Sequence, residues 1–399
     1  MAILTQNYIN DKVLADEWSQ LKTSFWGELK LETLRAVRIL LENSMAVEVQ
    51  DLLGTRSWEH NPSRVYSRNG YRRRTILSSF GYLNDLKIPR VRGGRIRFRI
   101  LPAYKRRAPD VDLTILQMFL DGVSTRSVSE VLEPLYGPGT ISATGVSRIS
   151  KSLNKYVNNY HTRKISDDYK YLIADGVYFN VKNPVHKNRR CVLVVYGIQT
   201  TGHREIIDFY VAPHGESQSA WEKLLYGLYY RGLEGKHLKL VIRDGNKALK
   251  AALENVFPTV EQQPCWAHKL RNVANKLPKN IQDACISQAR TIYKADSYDE
   301  GLKLFKSWYK SWEYAAPEAV KCLNDDIYDL LNFLKEPKSM RIKLRTTNII
   351  ERSFREVRRR TRPMSCFQNQ DSIQRIIFAV FMKQNKKWEK KPLKITHNT

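Results

Sequence analysis

Hydrophobic positions recur at helical spacing at both ends of the chain and at strand spacing in its middle. Apolar residues three or four apart predict helices over 13–53, 111–157 and 266–340, and a final helix from about Ile349. Between 165 and 260, three apolar runs predict successive antiparallel strands, followed by a helix, a fourth strand and another helix. That order is typical of a ribonuclease-H-like fold. We therefore expect an α+β multidomain chain with a ribonuclease-H-like catalytic core interrupted by an all-helical insertion.

Changes in this pattern divide the chain into six predicted regions. The N-terminal helical region, with a possible dimer face, covers 1–60, and a basic β-rich region covers 61–110. A helix-turn-helix-like region covers 111–164 and the first part of the core covers 165–265. The helical insertion is 266–340, and 341–399 holds the core's final helix and the C-terminal tail.

The distribution of charged residues also indicates a binding partner. The 399 residues hold 67 Lys+Arg against 40 Asp+Glu, a net charge of +27. The stretch 64–107 has 14 basic residues and one acid, Asp85, and the stretch 341–362 has nine basic residues and two acids. Between them, residues 165–260 carry a nearly balanced mixture of charges. Two basic regions around a balanced core indicate a polyanionic partner, with nucleic acid the first choice.

Two features of the basic regions suit DNA. Residues 75–101 predict short strands, and the alternation from Arg95 to Ile100 puts arginines on one face, toward phosphates. An ordinary solvated edge strand is the alternative. Helical segments 124–132 and 141–149, separated by Pro138-Gly139, match a helix-turn-helix pattern. The predicted DNA-binding residues are Arg72, Arg73, Arg74, Arg95, Arg97, Arg99, Arg126, Arg148, Arg355, Arg358, Arg359 and Arg360.

Other classes of protein are disfavoured by the sequence. The longest apolar run, Cys191 to Ile198, is far shorter than the roughly 20 residues of a membrane span. The N-terminus lacks the basic-then-apolar pattern of a signal peptide. Five irregularly spaced cysteines do not form a disulfide framework. We expect a soluble intracellular protein with no membrane partner.

Two aspartates share one local design, a carboxylate at a strand followed by glycine. They are Asp175-Gly176 and Asp244-Gly245, on the first and fourth predicted strands, which lie side by side in the expected fold. Two adjacent carboxylates repel each other unless a cation lies between them. Two hard divalent ions held by carboxylate oxygens are usual in phosphoryl-transfer sites. The alternative is that each Asp-Gly simply ends a strand in a turn.

A third acid is expected on the final helix. Ile350, Phe354 and Val357 form an apolar stripe, while Glu351 lies on an adjoining face and is followed one and two turns later by Arg355 and Arg358. This arrangement places a metal ligand beside arginines that can hold phosphates. As an alternative, Asn348 caps the helix and Glu351 completes a capping box. Glu356 is the rival third acid.

Cys265 and His268 form another pair of candidate ligands. Zinc would need two more ligands, and no second Cys/His pair occurs at finger-like spacing. A polar site near the second aspartate, with Lys269 and Arg271 beside it, is favoured.

Taken together, these motifs carry a resemblance to a known family, the Mutator-type DDE transposases of bacterial insertion sequences, over most of the chain. The matching motifs are Asn69-Gly70-Tyr71-Arg72, Gly81-Tyr82-Leu83, Ile88-Pro89-Arg90, Gly122-Val123-Ser124-Thr125-Arg126, Val146-Ser147-Arg148, Asp175-Gly176, Asp244-Gly245, Cys265-x-x-His268-Lys269-x-Arg271-Asn272-Val273, Thr347-Asn348-x-x-Glu351-Arg352 and Arg358-Arg359-Arg360.

The resemblance implies a function and roles for particular residues. Asp175, Asp244 and Glu351 would be the catalytic, metal-binding triad for two Mg²⁺ ions, which Mn²⁺ can replace, and Cys265 and His268 would be accessory residues beside it. The implied activity is binding of terminal inverted repeats, DNA cleavage and strand transfer to target DNA. We expect a homodimer or higher oligomer on double-stranded DNA, in the bacterial cytoplasm with the nucleoid. A ribonuclease-H-like nuclease that does not join DNA and a non-catalytic DNA-binding regulator remain as alternatives.

Overall fold

A computed structural model describes residues 11–59, 65–101, 104–181, 188–362, 367 and 369–395. The chain divides into two compact units. The first is Met1–Phe119 with Thr125–Ile149, and the second is Leu120–Ser124 with Ser150–Thr399. The six finer regions remain a prediction, and their outermost ends, 1–10 and 396–399, lie outside the described residues.

The first unit combines one long helix, a β-hairpin and a group of shorter helices. Its elements are α1 Asp11–Leu53, β1 Ser67–Ser78, β2 Gly81–Arg92, α2 Pro109–Leu120, α3 Ser127–Tyr136 and α4 Ala143–Ser150, the last residues of α2 and α4 falling just outside the unit. Helix α1 packs on the hairpin through Met45, which is buried together with Ile76, Leu86 and Ile88. The Glu42 carboxylate also accepts a hydrogen bond from the backbone N–H of Lys87, at 2.8 Å. The hairpin and α1 therefore share a small apolar core.

The strand predicted for Arg95 to Ile100 is not present. Strand β2 ends at Arg92, and Gly93 follows with φ of 91°, a conformation that L side chains rarely adopt. The next residues have no regular secondary structure, and the N–H of Arg99 donates to the Glu48 carboxylate on α1, at 2.8 Å, instead of to a neighbouring strand. The alternation correctly predicted which side chains are more exposed, but the prediction of a paired strand was wrong. The chain stops pairing with β1 at the glycines that follow β2.

The predicted helices of this unit are confirmed. The apolar periodicity over 13–53 belongs to one uninterrupted helix of 43 residues. The helix pair expected on either side of Pro138-Gly139 is α3 and α4. Its use in reading DNA stays a prediction.

The second unit contains a five-stranded sheet with helices around it. The elements before and within the sheet are α5 Leu153–Thr162, β3 Tyr169–Val181, β4 Asn188–Gln199, β5 Arg204–Ala212, α6 Gln218–Tyr230, β6 Leu240–Arg243, α7 Lys247–Val256 and β7 Glu261–Pro264. The elements that follow are α8 Trp266–Ala274, α9 Lys279–Ile292, α10 Tyr298–Trp312, α11 Pro317–Asn324, α12 Ile327–Leu330, a 3-10 turn Asn332–Lys335, α13 Lys338–Leu344, α14 Asn348–Thr361 and α15 Gln370–Glu389.

The strand order of this mixed sheet is β5-β4-β3-β6-β7. Strand β4 is antiparallel to its two neighbours, β3 and β5, whereas β6 runs parallel to β3 and β7 parallel to β6. The expectation of three antiparallel strands, a helix, a fourth strand beside the first and another helix is confirmed. Strand β7 was missed because its four residues, Glu-Gln-Gln-Pro, are polar and too few to show a period.

The two faces of the sheet bury different helices. Trp221 of α6 and Leu253 of α7 belong to one buried cluster with Leu193 of β4. Phe381 of α15 lies edge-to-face with Phe209 of β5 and Phe354 of α14. Burying large apolar side chains on both faces stabilises the sheet.

The structure also bears on two exclusions made from the sequence. No helix in the described part of the chain is long and apolar enough to cross a membrane. Cys191, Cys265, Cys285 and Cys322 are free thiols, and Cys366 lies outside the described residues.

Candidate active site

Asp175 lies in the middle of β3, not at a turn. It pairs with Val194 of β4, and β3 continues to Val181. The residue is only 4% exposed, and the N–H of Gly176 donates to its carboxylate at 2.8 Å. Burial, with a smaller contribution from the charge of Asp244, raises the pKa of Asp175 to about 7. The alternative of a strand-ending Asp-Gly turn is therefore wrong for Asp175.

Asp244 follows directly after β6, beside Asp175. The parallel register pairs Ala174 with Arg243, the residues immediately before the two aspartates. Its carboxylate accepts a hydrogen bond from the N–H of Asn246 at 3.1 Å, so this Asp-Gly does leave a strand through a turn. Burial raises the pKa of Asp244 as well. This register places the first and fourth strands side by side, as expected, and the charge of Asp244 acts on Asp175.

Glu351 lies in the first turn of α14. The predicted stripe packs inward, since Ile350, Phe354 and Val357 are each no more than 1% exposed. The side chain of Glu351 is 39% exposed. The N-cap of α14 is Thr347, which makes no side-chain cap hydrogen bond. The alternative of an Asn348 cap with a Glu351 capping box is therefore wrong.

His268 joins the acids from the first turns of α8. Its Nε2 lies 3.4 Å from Glu351 Oε1. One ligand atom each of Asp175, His268 and Glu351 lies within 4.8 Å of the others, which is compatible with a shared cation. Asp244 is not part of this tight group, although its charge acts on Asp175. The structure thus brings the accessory histidine closer to Glu351 and Asp175 than the sequence alone indicated.

Cys265 and Thr347 hold His268 and Asp175 in place. Thr347 is fully buried, its N–H and hydroxyl donate to Cys265 Sγ at 3.3 and 3.6 Å, and its side chain also acts to lower the pKa of Asp175. Interaction with the Cys265 thiol raises the pKa of His268 to about 9, assisted by the charges of Asp175 and Glu351 and opposed by burial. Burial opposes ionisation of Cys265, but His268 and the Thr347 N–H outweigh it and lower the pKa of that thiol. A positive imidazolium beside two acids offsets part of their repulsion.

Glu216 is a fourth carboxylate that sequence reasoning missed. A Cβ on Gly176 would lie 3.1 Å from the Glu216 carboxyl carbon, so glycine leaves room for Glu216 beside Asp175. Trp221 Nε1 donates to Glu216 Oε1 at 2.9 Å and fixes the carboxylate. Burial, followed by the charge of Asp244, raises the pKa of Glu216. The glycine after the first aspartate was the available sequence signal for a close neighbour.

Glu356, the rival third acid, is engaged elsewhere. It accepts hydrogen bonds from Arg359 at 3.1 Å and from Arg360 at 2.8 Å, and these arginines lower its pKa. Arg360 was predicted to contact DNA, but its side chain is only 9% exposed and also lies 4.0 Å from Asp121. The structure therefore gives Arg360 an ion-pairing role inside the second unit, because its position on α14 turns inward with Val357.

The other arginines predicted to bind DNA lie at the surface of their units. In the first unit Arg74 is partly buried, and the exposed members are Arg72, Arg73, Arg95, Arg97, Arg99, Arg126 and Arg148. In the second unit Arg355, Arg358 and Arg359 are exposed on α14. Surface exposure is necessary for DNA contact but does not demonstrate it, so the role of these residues in DNA binding stays a prediction.

The donor set fits a hard divalent cation. Oxygen ligands from carboxylates are the ones that Mg²⁺ and Mn²⁺ prefer. Burial makes the charged form of the Asp175 carboxylate unfavourable, which its raised pKa reflects, and a cation beside it would stabilise that charge. Cys265 faces Thr347 and His268, and among the described residues no further Cys or His joins the group. Zinc of the finger type is therefore not supported.

Comparison with known proteins identifies the class. Residues 16–391 match the family described as "Transposase, Mutator family". The chain belongs to this family of transposases, which confirms the resemblance seen in its motifs.

Three relatives illustrate how far the similarity extends. The transposase for insertion sequence element ISRM5 of Rhizobium meliloti (strain 1021) is 30% identical over 352 residues, covering 88% of this chain and 87% of the relative. The transposase for IS256 in transposon Tn4001 of Staphylococcus aureus is 31% identical, covering 88% of each chain. The transposase for IS406 of Burkholderia multivorans (strain ATCC 17616 / 249) is 32% identical, covering 88% of this chain and 90% of the relative.

Proposed function

We propose that the chain is the transposase of an insertion sequence, which binds the terminal inverted repeats and catalyses DNA cleavage and strand transfer. Its catalytic residues are Asp175, Asp244 and Glu351, carried on a ribonuclease-H-like core. The single observation that most supports this proposal is the convergence of Asp175, His268 and Glu351 within 4.8 Å, with Asp244 at the neighbouring strand end. Family membership supplies the substrate class.

The three acids would hold two Mg²⁺ ions, or Mn²⁺ in their place. When bound, such ions activate an attacking water or 3′-hydroxyl and stabilise the leaving oxygen. The chain's own part is to fix the acids. Asp175 is held by the Gly176 N–H and Thr347, and Asp244 by the Asn246 N–H. No Ser or Tyr nucleophile is assigned, because the water and the DNA hydroxyl are sufficient.

His268 has a positioning role in this proposal. Its raised pKa keeps the imidazole protonated at neutral pH, where it lies beside Asp175 and Glu351. This charge holds the two carboxylates in place before the cations arrive. Arg355 and Arg358, exposed beyond Glu351 on α14, would contact the phosphates next to the reacting bond.

The basic surface of the first unit would grip the terminal repeats. The hairpin arginines and the helix pair α3–α4 supply the contacts, and charge makes binding steeply dependent on salt. Joining two element ends implies at least two catalytic sites, so we propose a homodimer or higher oligomer on DNA. Its place of action is the bacterial cytoplasm, on the nucleoid DNA.

One assay tests the proposal. Purified full-length protein is incubated with Mg²⁺ or Mn²⁺ and a labelled duplex that carries the terminal repeat of the element. The proposal expects products in which the labelled end is covalently joined to a second DNA. Cleavage without joining would support a ribonuclease-H-like nuclease, and binding without either reaction would support a DNA-binding regulator.

A further inference from the structure

An open cavity of about 600 Å³ lies within the first unit, apart from the acids. The hairpin forms one wall, residues 104–107 form another, and the loop between α3 and α4 closes one side with Gly139 and Thr140. The side chains that give the cavity its character are Arg72, Arg74, Tyr82, Tyr104, Arg106 and Arg107.

Hydrogen bonds connect the walls of the cavity to one another. The N–H of Leu77 donates to the carbonyl of Arg106 at 2.9 Å, and the N–H of Ala108 donates back to Leu77 at 2.8 Å. At the other side, the Tyr136 hydroxyl donates to the Ser79 carbonyl at 3.2 Å, which ties the end of α3 to the hairpin turn. Two backbone hydrogen bonds and the Tyr136 hydroxyl therefore connect the walls, and none of the three uses an arginine side chain.

The cavity concentrates positive charge. Arg72 and Arg74 lie two residues apart on β1, so they share one face, and Arg106 approaches from the facing segment. Burial, and then the charges of Arg72 and Arg106, lower the pKa of Arg74. Arg107 is paired with Asp112 at 2.7 Å. Among the described residues, no acid lines the cavity and no ion pair involves Arg72 or Arg106.

Like charges brought together in this way favour an anion between them. Guanidinium groups match the oxygens of a phosphate through paired hydrogen bonds. The cavity is also much wider than a phosphate ion, and two tyrosines lie in its lining. Tyr104 is 86% exposed and has φ of 63°, an uncommon backbone conformation that turns the residue outward. A wide, aromatic and cationic opening fits a phosphate that is part of a nucleic-acid chain.

We propose that this cavity binds one backbone phosphate of the DNA, with Arg72, Arg74 and Arg106 around the phosphate and Tyr82 and Tyr104 against the adjoining nucleotide. The inference rests on the proposed function for its substrate class. It assigns DNA-binding roles to Tyr82, Tyr104 and Arg106, and it makes the hairpin a phosphate clamp that sets the register of the DNA.

The test measures DNA binding without any need for catalysis. Fluorescence anisotropy of a fluorescein-labelled duplex is followed over a series of NaCl concentrations, for the full chain and for Arg72→Gln and Arg106→Gln. Each variant is expected to bind about tenfold more weakly at low salt. The slope of log K against log salt is expected to become shallower by about 1.

Arg35→Gln is the matched control. Arg35 is an exposed arginine of the same unit, paired with Glu32 and outside the cavity, so its loss removes the same charge without removing the clamp. Affinity and slope unchanged from wild type are expected for Arg35→Gln. Equal effects of all three substitutions would overturn the inference, because only net charge would then matter.

Two further outcomes separate the possible errors. If inorganic phosphate raises the Tm of wild type but not of Arg72→Gln, while DNA binding is the same for both, the cavity takes a free anion and the DNA assignment is wrong. If the cavity variants bind normally while wild type still cleaves and joins DNA, the clamp fails and the proposed function stands. If instead the cavity variants bind DNA more weakly than wild type, but wild type never cleaves DNA, the clamp stands and the proposed function fails.

Discussion

Nε2 of His268 lies 3.4 Å from Oε1 of Glu351, which joins the first turns of α8 and α14 at the end of the sheet. The two helices are far apart in sequence, and helices α9–α13 lie between them in the chain. The contact depends on the order of the strands, because β7 leads directly into α8 through Cys265, whose N–H donates to the Arg243 carbonyl at 2.7 Å. The histidine and the second aspartate are thus fixed by one hydrogen-bonded contact between β6 and β7, and Thr347 at the start of α14 joins it through Cys265 Sγ.

The pH dependence of stability reports the charge on His268. Its folded pKa of about 9 exceeds its ordinary value of 6.5. The stabilising contribution is therefore fully present below pH 6.5 and is lost as pH rises through about 9. In metal-free protein, wild type is expected to lose its advantage in Tm over His268→Gln across this interval. Thermal unfolding in EDTA at several pH values measures the difference, and parallel curves for the two proteins would contradict the assigned charge.

The buried carboxylate of Asp175 makes the metal-free protein less stable at neutral and higher pH. Because its folded pKa of about 7 lies above the ordinary value of 3.8 for an aspartate, the stability it contributes is present below pH 3.8 and lost as pH rises through 7. At pH 8 without metal, Asp175→Asn is expected to raise Tm by about 3–8 °C. Added Mg²⁺ should raise the Tm of wild type and leave Asp175→Asn nearly unchanged. A lower Tm for the variant in EDTA, or equal Mg²⁺ stabilisation of both, would argue against the site.

The two glycines that follow the aspartates are expected to respond differently to substitution. A Cβ at Gly176 would meet the Glu216 carboxylate at 3.1 Å, whereas one at Gly245 would have only Asn272 Nδ2 nearby, at 3.9 Å. Gly176→Ala should therefore displace Glu216 and weaken Mg²⁺ binding, measured by calorimetry, while Gly245→Ala should bind Mg²⁺ like wild type. Adding Glu216→Ala to Gly176→Ala removes the clash and should recover stability. If Gly176→Ala and Gly245→Ala change Mg²⁺ binding equally, the position of Glu216 beside Gly176 does not matter for the metal site.

Two neighbouring arginines of α14 are expected to separate stability from DNA binding. Arg360 is 9% exposed and paired with Glu356, so Arg360→Gln should lower the free energy of unfolding by about 1–3 kcal/mol. Arg358 is exposed, so Arg358→Gln should keep the wild-type Tm and weaken DNA binding. Thermal unfolding measures the stability of both variants, and fluorescence anisotropy measures their DNA binding. The assignment fails if Arg360→Gln unfolds like wild type.

The strand order and the acids could be predicted from the sequence because both leave local signals. Apolar runs marked β3, β4, β5 and β6, and the Asp-Gly pairs marked one position inside β3 and one just after β6, on strands that lie side by side. The stripe of Ile350, Phe354 and Val357 gave the correct buried face of α14.

Features that depend on distant contacts could not be predicted in this way. Glu216 reaches the site only through the fold, in the space left by Gly176. Thr347, not Asn348, occupies the N-cap position of α14, and its N–H and hydroxyl bond to Cys265 Sγ, a residue far away in sequence. Arg360 pairs with Asp121, an acid far away in sequence, so a count of arginines overstated the surface charge of α14.

The central claim is that Asp175, Asp244 and Glu351 carry the chemistry. Its most direct test is the joining of labelled terminal-repeat DNA by Asp175→Asn, Asp244→Asn and Glu351→Gln, with Glu356→Gln as control. Glu356 is the other acid of α14 and is engaged by Arg359 and Arg360, so its substitution should leave cleavage and joining intact. We predict that each of the three active-site variants binds the DNA like wild type but gives no cleaved or joined product. Joining at a wild-type rate by any one of them would contradict the account.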